Sequence, residues 1–528
     1  MVLAALAAVA RTAQTVVEQA PFIRPDIDWH AIAPELTLLG VGALLTLFDI
    51  IFAERGRALT AALAGVGLLG VMIPIATLAI DGVASEPRVM FGGAYVVDGY
   101  SLVLKAVFVL AGYLVILLST NYIAEGDYWE NEYYGLLSAS ILGMVVMASA
   151  RDLITIFIAL ELISIPAYML AAWRKRDLKS NEAGLKYYLM GVFASGILLY
   201  GMSLLFGVTG TTILEEIATF NAFNPAVDST SDPIVSVGLI FVIVGFAFKV
   251  SSFPFHTWAP DTYEGAPTPV TAFLSVLSKA AGFVGLMNLV FVGFWGRDDV
   301  YGPAIWFLAA ASMTGGNLMA LRQTSIIRMM AYSGVAQAGF MLAPLAIAGE
   351  NLDTADKAVT ATVTYVVIYA AMNLGIFGVI MAVSRRTRSA ELDSYNGLFK
   401  YAPALGVSMT VFLAALAGIP PLGGWFAKFS VFSAIVSADT PAAYALAAIA
   451  AANTALAFGY YGRVAARVWI EDPATDADTT PIRVPFALQS ALVLTAAGTL
   501  LFGIYPQVVT RFTDVSLVPQ AVAVAIGG

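Results

Sequence analysis

Glu161, Lys249, Lys279 and Lys428 stand in stretches that are otherwise almost wholly apolar: DLITIFIALELISIPAYML, GFAFKVSSFPF, PVTAFLSVLSK and LAGIPPLGGWFAKF. An ammonium at the centre of a bilayer costs roughly 2.5–3.5 kcal/mol on insertion scales, so ionisable groups kept there mark ion and proton pathways. Burial disfavours the charged form of an acid or an amine, and a close opposite charge favours it. An acid and an amine that can meet and part therefore switch their own proton affinity. Glu161 with Lys249 has that form. The plainer reading is a fixed ion pair joining two helices. Lys279 has no acid in its own stretch and lies about eleven residues in, roughly 16 Å at 1.5 Å per residue, near the middle of a span. Lys428 follows a helix break by seven residues and is similarly deep. His256, in PFHTW, falls at the cytoplasmic end of its span. There it serves either as a proton relay or as a capping or packing residue.

Groups of this kind need membrane helices to hold them. The chain has 528 residues, of which 59% are hydrophobic and only 12% charged. Soluble domains are nearer a quarter charged, so the expected class is an all-α polytopic membrane protein. A rule of about twenty apolar residues per span gives about 14 transmembrane helices. The seventh, over 234–257, is interrupted at Pro254 beside Lys249. The twelfth, over 401–437, is interrupted at Gly418-Ile419-Pro420-Pro421, ahead of Lys428. Proline removes an amide donor and clashes with the preceding turn. The carbonyls it frees find water or a polar side chain. Spans five apart run in opposite directions, and paired interruptions point to inverted repeats with a site at the midplane. The expected organisation is 1–130 for an N-terminal tail and helices 1–3, and 131–295 for a first inverted five-helix repeat (helices 4–8). A second repeat (helices 9–13) takes 300–472, and helix 14 with a C-terminal tail takes 473–528.

Loop charge sets orientation. Sixteen Lys and Arg fall on one side of this arrangement and seven on the other, Arg11, Arg24 and Arg88 among the seven. The richer side is expected to be cytoplasmic, with both termini outside a bacterial cell membrane. The run MVLAALAAVARTAQTVVEQA lacks the positive start of a signal peptide, so an extra N-terminal helix or surface tail is expected.

Other features exclude or qualify. The absence of cysteine excludes thiolate-held iron–sulfur clusters, disulfides and Cys-type zinc sites. His30 and His256 are the two histidines, far apart in sequence, which argues against a His-rich metal site. A net charge of −9 argues against a nucleic-acid surface. Gly65, Gly67 and Gly70 mimic a dinucleotide fingerprint but lie inside a span, where glycines let helices pack closely. Lys105, six residues into the third span, is expected to snorkel to an interface. Glu35 is expected to face the outer interface from the first span, which also holds Asp49. Asp261 and Glu264 are expected to cap the eighth span, with attraction of protons to an entrance as the alternative. Ser325, Tyr332, Ser333, Thr364, Tyr365, Tyr369 and Asn373 either bond between helices or hold water along a path.

The stretches FKVSSFPFHTWAPDTYEGAPTPVTAFLSVLSK, FIALELISIPAYML and LAGIPPLGGWFAKF resemble the antiporter-like membrane subunits of respiratory complex I (NADH–quinone oxidoreductase). TYEGAPTPVTAF with a lysine at 279 is similar to the subunit N branch, and Lys428 stands where subunit M is expected to carry glutamate. The resemblance covers roughly 130–470. It implies a fourteen-helix core and one proton channel along a central line of charged residues. By position, Glu161 is then the acid of the fifth helix and Lys249 its partner on broken helix seven. Lys279 is the central lysine of helix eight, Lys428 the terminal lysine of broken helix twelve, and His256 the histidine of the family's PFHTW motif. The resemblance also implies that FMN, the iron–sulfur clusters and quinone belong to other subunits, with no cofactor in this chain. The expected partners are those subunits, especially the neighbouring antiporter-like and small membrane subunits, with lipid, water and protons.

Two rivals stand beside this reading. A subunit of a multisubunit cation/proton antiporter would show sodium-dependent proton exchange. In a membrane scaffold the charges would be static ties, and neutralising them would affect assembly and not turnover.

Overall fold

The computed structural model describes residues 27–52, 57–126, 130–223, 233–473 and 478–518. The N-terminal run, Arg11, Arg24, Arg55 and the last ten residues lie outside the described residues, as do the side chains of Asp49 and Arg57.

The chain opens with α1 (Ala33–Phe52) and α2 (Arg57–Ile80), followed by a short antiparallel hairpin, β1 (Arg88–Met90) and β2 (Tyr95–Val97). This hairpin is the one departure from the all-helical expectation among the described residues. Then come α3 (Gly99–Ala124), α4 (Glu130–Ser149), α5 (Leu153–Ala171), α6 (Leu178–Thr209) and a short α7 (Leu214–Phe223). Next are α8 (Pro233–Lys249), α9 (Trp258–Gly265), α10 (Thr268–Gly293), α11 (Asp298–Ala320), α12 (Ile326–Leu342) and α13 (Leu352–Thr387). The chain closes with α14 (Pro403–Ala417), α15 (Gly423–Val436), α16 (Pro441–Trp469), α17 (Phe486–Ile504) and α18 (Gln507–Thr513). Among the described residues, 11 helices are long and apolar enough to cross a membrane, and α8, α14 and α15 are shorter apolar helices.

Local chemistry sets the helix starts. Asp98 accepts from the Ser101 amide at 2.7 Å and Asp152 from the Thr155 amide at 2.8 Å, capping α3 and α5. Asn351 and Thr354 form a reciprocal capping box at the start of α13. Both expected interruptions are present. The seventh span ends sooner than its apolar run implies: α8 stops at Lys249, residues 250–257 turn, and α9 resumes at Trp258. In the twelfth, residues 418–422 separate α14 from α15. The last expected span, 484–512, divides into α17 and α18.

α10 is fully buried and α13 nearly so, which makes them the axis of the bundle. The outer helices turn apolar side chains such as Leu44, Ile73, Phe193, Phe458 and Leu494 outward, the face a bilayer covers. Helix pairs close tightly where side chains are small. A Cβ on Gly339 of α12 would lie 2.6 Å from the Met313 amide nitrogen of α11.

Candidate functional site

α5 carries Glu161 and Ser164 one turn apart, and Lys249 is the last residue of α8. The expected acid and amine share one site, but they do not touch. The Lys249 ammonium donates to Ser164 Oγ at 2.7 Å, and Ser164 in turn donates to the Leu160 carbonyl at 2.6 Å. The Glu161 carboxylate accepts from Ser195 Oγ of α6 at 2.5 Å. Between the two arms lies a cavity of about 10 Å³ lined by Ser164, Tyr168, Ser195, Lys249 and apolar neighbours. That is close to the room one water needs. Each member of the pair therefore has its own serine, and the two are poised apart.

The stem of Lys249 abuts α10 at Gly282, where a Cβ would lie 3.0 Å from Lys249 Cγ. Lys279 lies one turn earlier on α10. It directly follows Leu274–Ser278, a wide π turn, and a second such turn spans Asn288–Gly293. Turns of this type are frequent at functional sites. The Lys279 ammonium is buried and donates to the Gly334 carbonyl of α12 at 2.6 Å. That partner is a backbone dipole, not a carboxylate. A Cβ on Gly334 would meet both Lys279 Nζ, at 3.1 Å, and Tyr369 Oη, at 3.4 Å. The buried Tyr369 hydroxyl has no hydrogen-bond partner in this structure and lies beside the ammonium.

Beyond Gly334 the polar contacts continue. Ser333 Oγ and Tyr461 Oη are 2.5 Å apart. The Gln337 amide donates to Tyr461 Oη at 3.1 Å and to the Leu416 carbonyl at 3.3 Å, and the Tyr365 hydroxyl donates to its oxygen. The next carbonyl along, that of Ala417, accepts from Lys428 at 3.0 Å. Lys428 is buried, with its ammonium 4.8 Å from the centre of the Phe340 ring, a cation–π contact. The start of α15 reaches this position because residue 424 is glycine. A Cβ there would collide with the Ala415 carbonyl. Lys279 and Lys428 are thus joined by neighbouring side chains and carbonyls of α12, α13, α14 and α16.

Several expectations are corrected. His256 does not end a continuous helix running from 234, as was expected of it. It is buried in the break between α8 and α9, its ring stacked on Phe253 at 5.1 Å and edge-on to Tyr332 at 6.1 Å. Its Nδ1 has no hydrogen-bond partner in this structure. Asp261 and Glu264 do not cap α10. Asp261 pairs with Lys186 at 2.7 Å and Arg328 at 2.9 Å, and Glu264 pairs with Arg328 at 2.9 Å, so α9 is tied to α6 and α12. Lys105 does not snorkel. It is buried, 2.7 Å from Glu35, and Glu35 turns inward to it rather than to the outer interface. Counting depth along a single helix cannot see a partner on another. Asn373 donates to Ser275 of α10 at 2.8 Å, Thr364 bonds Thr513, and Ser325 caps α12, all off the line.

Ser164, Ser195, Gln337 and Tyr461 were missed in the sequence. Gln337 was detectable, as a lone amide in AYSGVAQAGFMLAP. The serines and the tyrosine were not, because such groups are common in membrane helices.

Residues 150–454 match the family of transmembrane subunits described as NADH:quinone oxidoreductase/Mrp antiporter. NADH-quinone oxidoreductase subunit N 1 of Koribacter versatilis is 38% identical over 507 residues, 95% of this chain and 97% of that protein. Subunit N of Trichlorobacter lovleyi is 37% identical, covering 92% of this chain and 96% of its own length. Among solved structures, a chain of respiratory complex I from Thermus thermophilus superposes with a TM-score of 0.73 at 28% identity, covering 90% of this chain and 98% of that one. A chain of the Mrp complex from a Dietzia species gives a TM-score of 0.78 at 21% identity, a likeness of fold, over 91% of this chain and 96% of that one.

Proposed function

The chain belongs to the family of NADH-quinone oxidoreductase subunit N, and from that membership and the site's geometry we propose that it carries protons across the membrane as one subunit of that complex. Electron transfer from NADH to quinone takes place in other subunits, which hold the FMN and iron–sulfur clusters, and this chain has no redox centre. It works against the neighbouring antiporter-like and small membrane subunits in a bacterial cell membrane. Its two five-helix units, 131–295 and 300–472, run oppositely, and both chain ends lie outside.

The observation that carries this reading is the arrangement of the buried amines. Lys249, Lys279 and Lys428 each donate to a neutral oxygen, at 2.7, 2.6 and 3.0 Å. The acid near Lys249, Glu161, is held off by Ser195. When a charge shift elsewhere draws Glu161 from Ser195 towards Lys249, the amine gains proton affinity. When Glu161 returns, that affinity falls and the proton passes to Lys279, then through Ser333, Tyr461 and Gln337 to Lys428 and the outside. His256, beside Tyr332 in the helix break, can relay protons from the cytoplasm. Moving one charge against 100 mV costs about 2.3 kcal/mol, a change in proton affinity of about fifty-fold at 1.36 kcal/mol per tenfold. Opening and closing one ion pair in a low-dielectric site supplies a change of that order.

The test is Glu161→Gln and Lys249→Ala in the assembled complex, with proton pumping measured against NADH oxidation in membrane vesicles. Pumping is expected to fall by about tenfold or more, the effect of upwards of ~1.4 kcal/mol on a barrier. Undiminished pumping in both variants would overturn the proposal.

A further inference from the structure

A second buried acid–amine pair stands apart from the line from Glu161 to Lys428. Lys105 of α3 is wholly buried, with its ammonium 2.7 Å from Oε1 of Glu35 on α1. The Tyr95 hydroxyl of β2 donates to the same oxygen at 2.6 Å, and the ammonium lies 5.4 Å from the centre of the Tyr95 ring. Glu35 Oε2 is buried and has no hydrogen-bond partner in this structure. A static tie in a buried site is stable when both carboxylate oxygens are matched. A carboxyl group with one idle oxygen has a place to take a proton.

Partly exposed titratable groups stand at the start of α1. Asp28 and His30 lie seven and five residues before Glu35, just ahead of α1, and both are partly exposed. Asp28 pairs with Arg88 at 2.9 Å. His30 faces Asp81 at 3.3 Å through Nδ1 and Thr77 at 2.8 Å through Nε2. Asp28 and His30, with their partners Arg88 and Asp81, form a partly exposed rim ahead of α1. Where the hairpin meets the α4–α5 junction, Asp98 and Arg151 pair with each other at 3.0 Å, and Arg151 lies 5.6 Å from the centre of the Tyr100 ring.

We propose that Glu35, Tyr95 and Lys105 form a second proton-holding site of this chain, loaded and emptied through the rim made by Asp28, His30 and Asp81. The inference rests on the reading of the chain as a proton carrier. Transfer from Lys105 Nζ to Glu35 breaks an N–H bond, forms an O–H bond and turns an ion pair into a neutral amine and acid, with no change of net charge. A further proton, taken from water at the rim, returns Lys105 to an ammonium while Glu35 stays an acid. The site has then gained one positive charge, and it loses that charge when the proton leaves. Tyr95 keeps its own proton throughout and holds the carboxyl in place.

The experiment uses the assembled complex reconstituted in vesicles, with Glu35→Gln, Tyr95→Phe and Glu161→Gln. Pumping is measured beside the infrared carboxyl band difference between acidic and alkaline buffer. The wild type is expected to show a carboxyl band that is absent in Glu35→Gln and displaced in Tyr95→Phe. Tyr95→Phe is expected to slow pumping about two- to tenfold, the worth of one hydrogen bond. Glu35→Gln with normal pumping and an unchanged spectrum overturns the inference. If Glu35→Gln does not assemble, Tyr95→Phe decides, since it leaves both charges in place; an unchanged band and unchanged pumping overturn the inference there too. Glu161→Gln separates the two readings. Impaired pumping there with normal Glu35→Gln sinks only this inference, whereas normal pumping in both Glu161→Gln and Lys249→Ala sinks the parent reading.

Discussion

At Gln337 one side-chain amide joins three helices. It donates to the Leu416 carbonyl of α14 and to Tyr461 of α16, and it accepts from Tyr365 of α13. Replacing it with leucine removes the only side chain of α12 that bridges these groups among the described residues. Gln337→Leu is therefore expected to leave the four charged groups in place and to slow pumping by about tenfold or more, since it removes three hydrogen bonds each worth about 0.5–1.5 kcal/mol net. Stopped-flow pumping traces of the assembled variant would check this, and an unaltered rate would remove Gln337 from the path. The contrast with the lysines explains what the sequence could disclose. An ammonium in an apolar run is costly enough to be noticed, and all three central lysines are buried on the inner faces of the bundle. A glutamine, a serine or a tyrosine costs little in a helix and leaves no such mark. Lys105 shows the opposite error: a charge was legible, but its partner Glu35 sits 70 positions earlier, in α1.

The break between α14 and α15 gives a sharp test of how an element places a charge. Gly418 takes a φ of +93°, and Gly424 lets the first turn of α15 press against the Ala415 carbonyl. Gly424→Ala must push those backbones apart, and overpacking of this kind costs about 1–3 kcal/mol. The expected outcome is a lower unfolding temperature of the complex, together with slower pumping, because Lys428 moves away from Ala417. An unchanged unfolding temperature would show that α15 can shift freely. The prolines and glycines announced both breaks, since they deny the backbone its regular partners. They did not fix how long each break is, and so left open whether His256 lies in packed protein, as it does.

For the molecule as a whole, lipid and protein divide the apolar surface between them. Apolar length alone reveals helices that must cross a bilayer, which is why the fold class was readable. Composition does not reveal which face of each helix meets lipid, and so the order in which the helices pack could not be read. The short β hairpin was also hidden, because three-residue strands carry no periodic signal. A prediction at this scale concerns company. Affinity isolation of the tagged chain from its native membrane is expected to bring down NADH-oxidising activity and iron–sulfur electron paramagnetic resonance signals. Their absence, with sodium–proton exchange in their place, would move the chain to the rival antiporter assembly.

The nine residues Lys279–Met287 lie between two wide turns of α10. A turn of that kind stores one residue more than the regular spiral. If the extra residue passes from one turn to the other, the length between them swivels by about 100° and advances by about 1.5 Å, while both ends of the rod stay anchored. Lys279 would then leave its neighbour on α12, and the central amine would be re-aimed without whole helices having to slide. Structures trapped in turnover with both wide turns unmoved would remove that device.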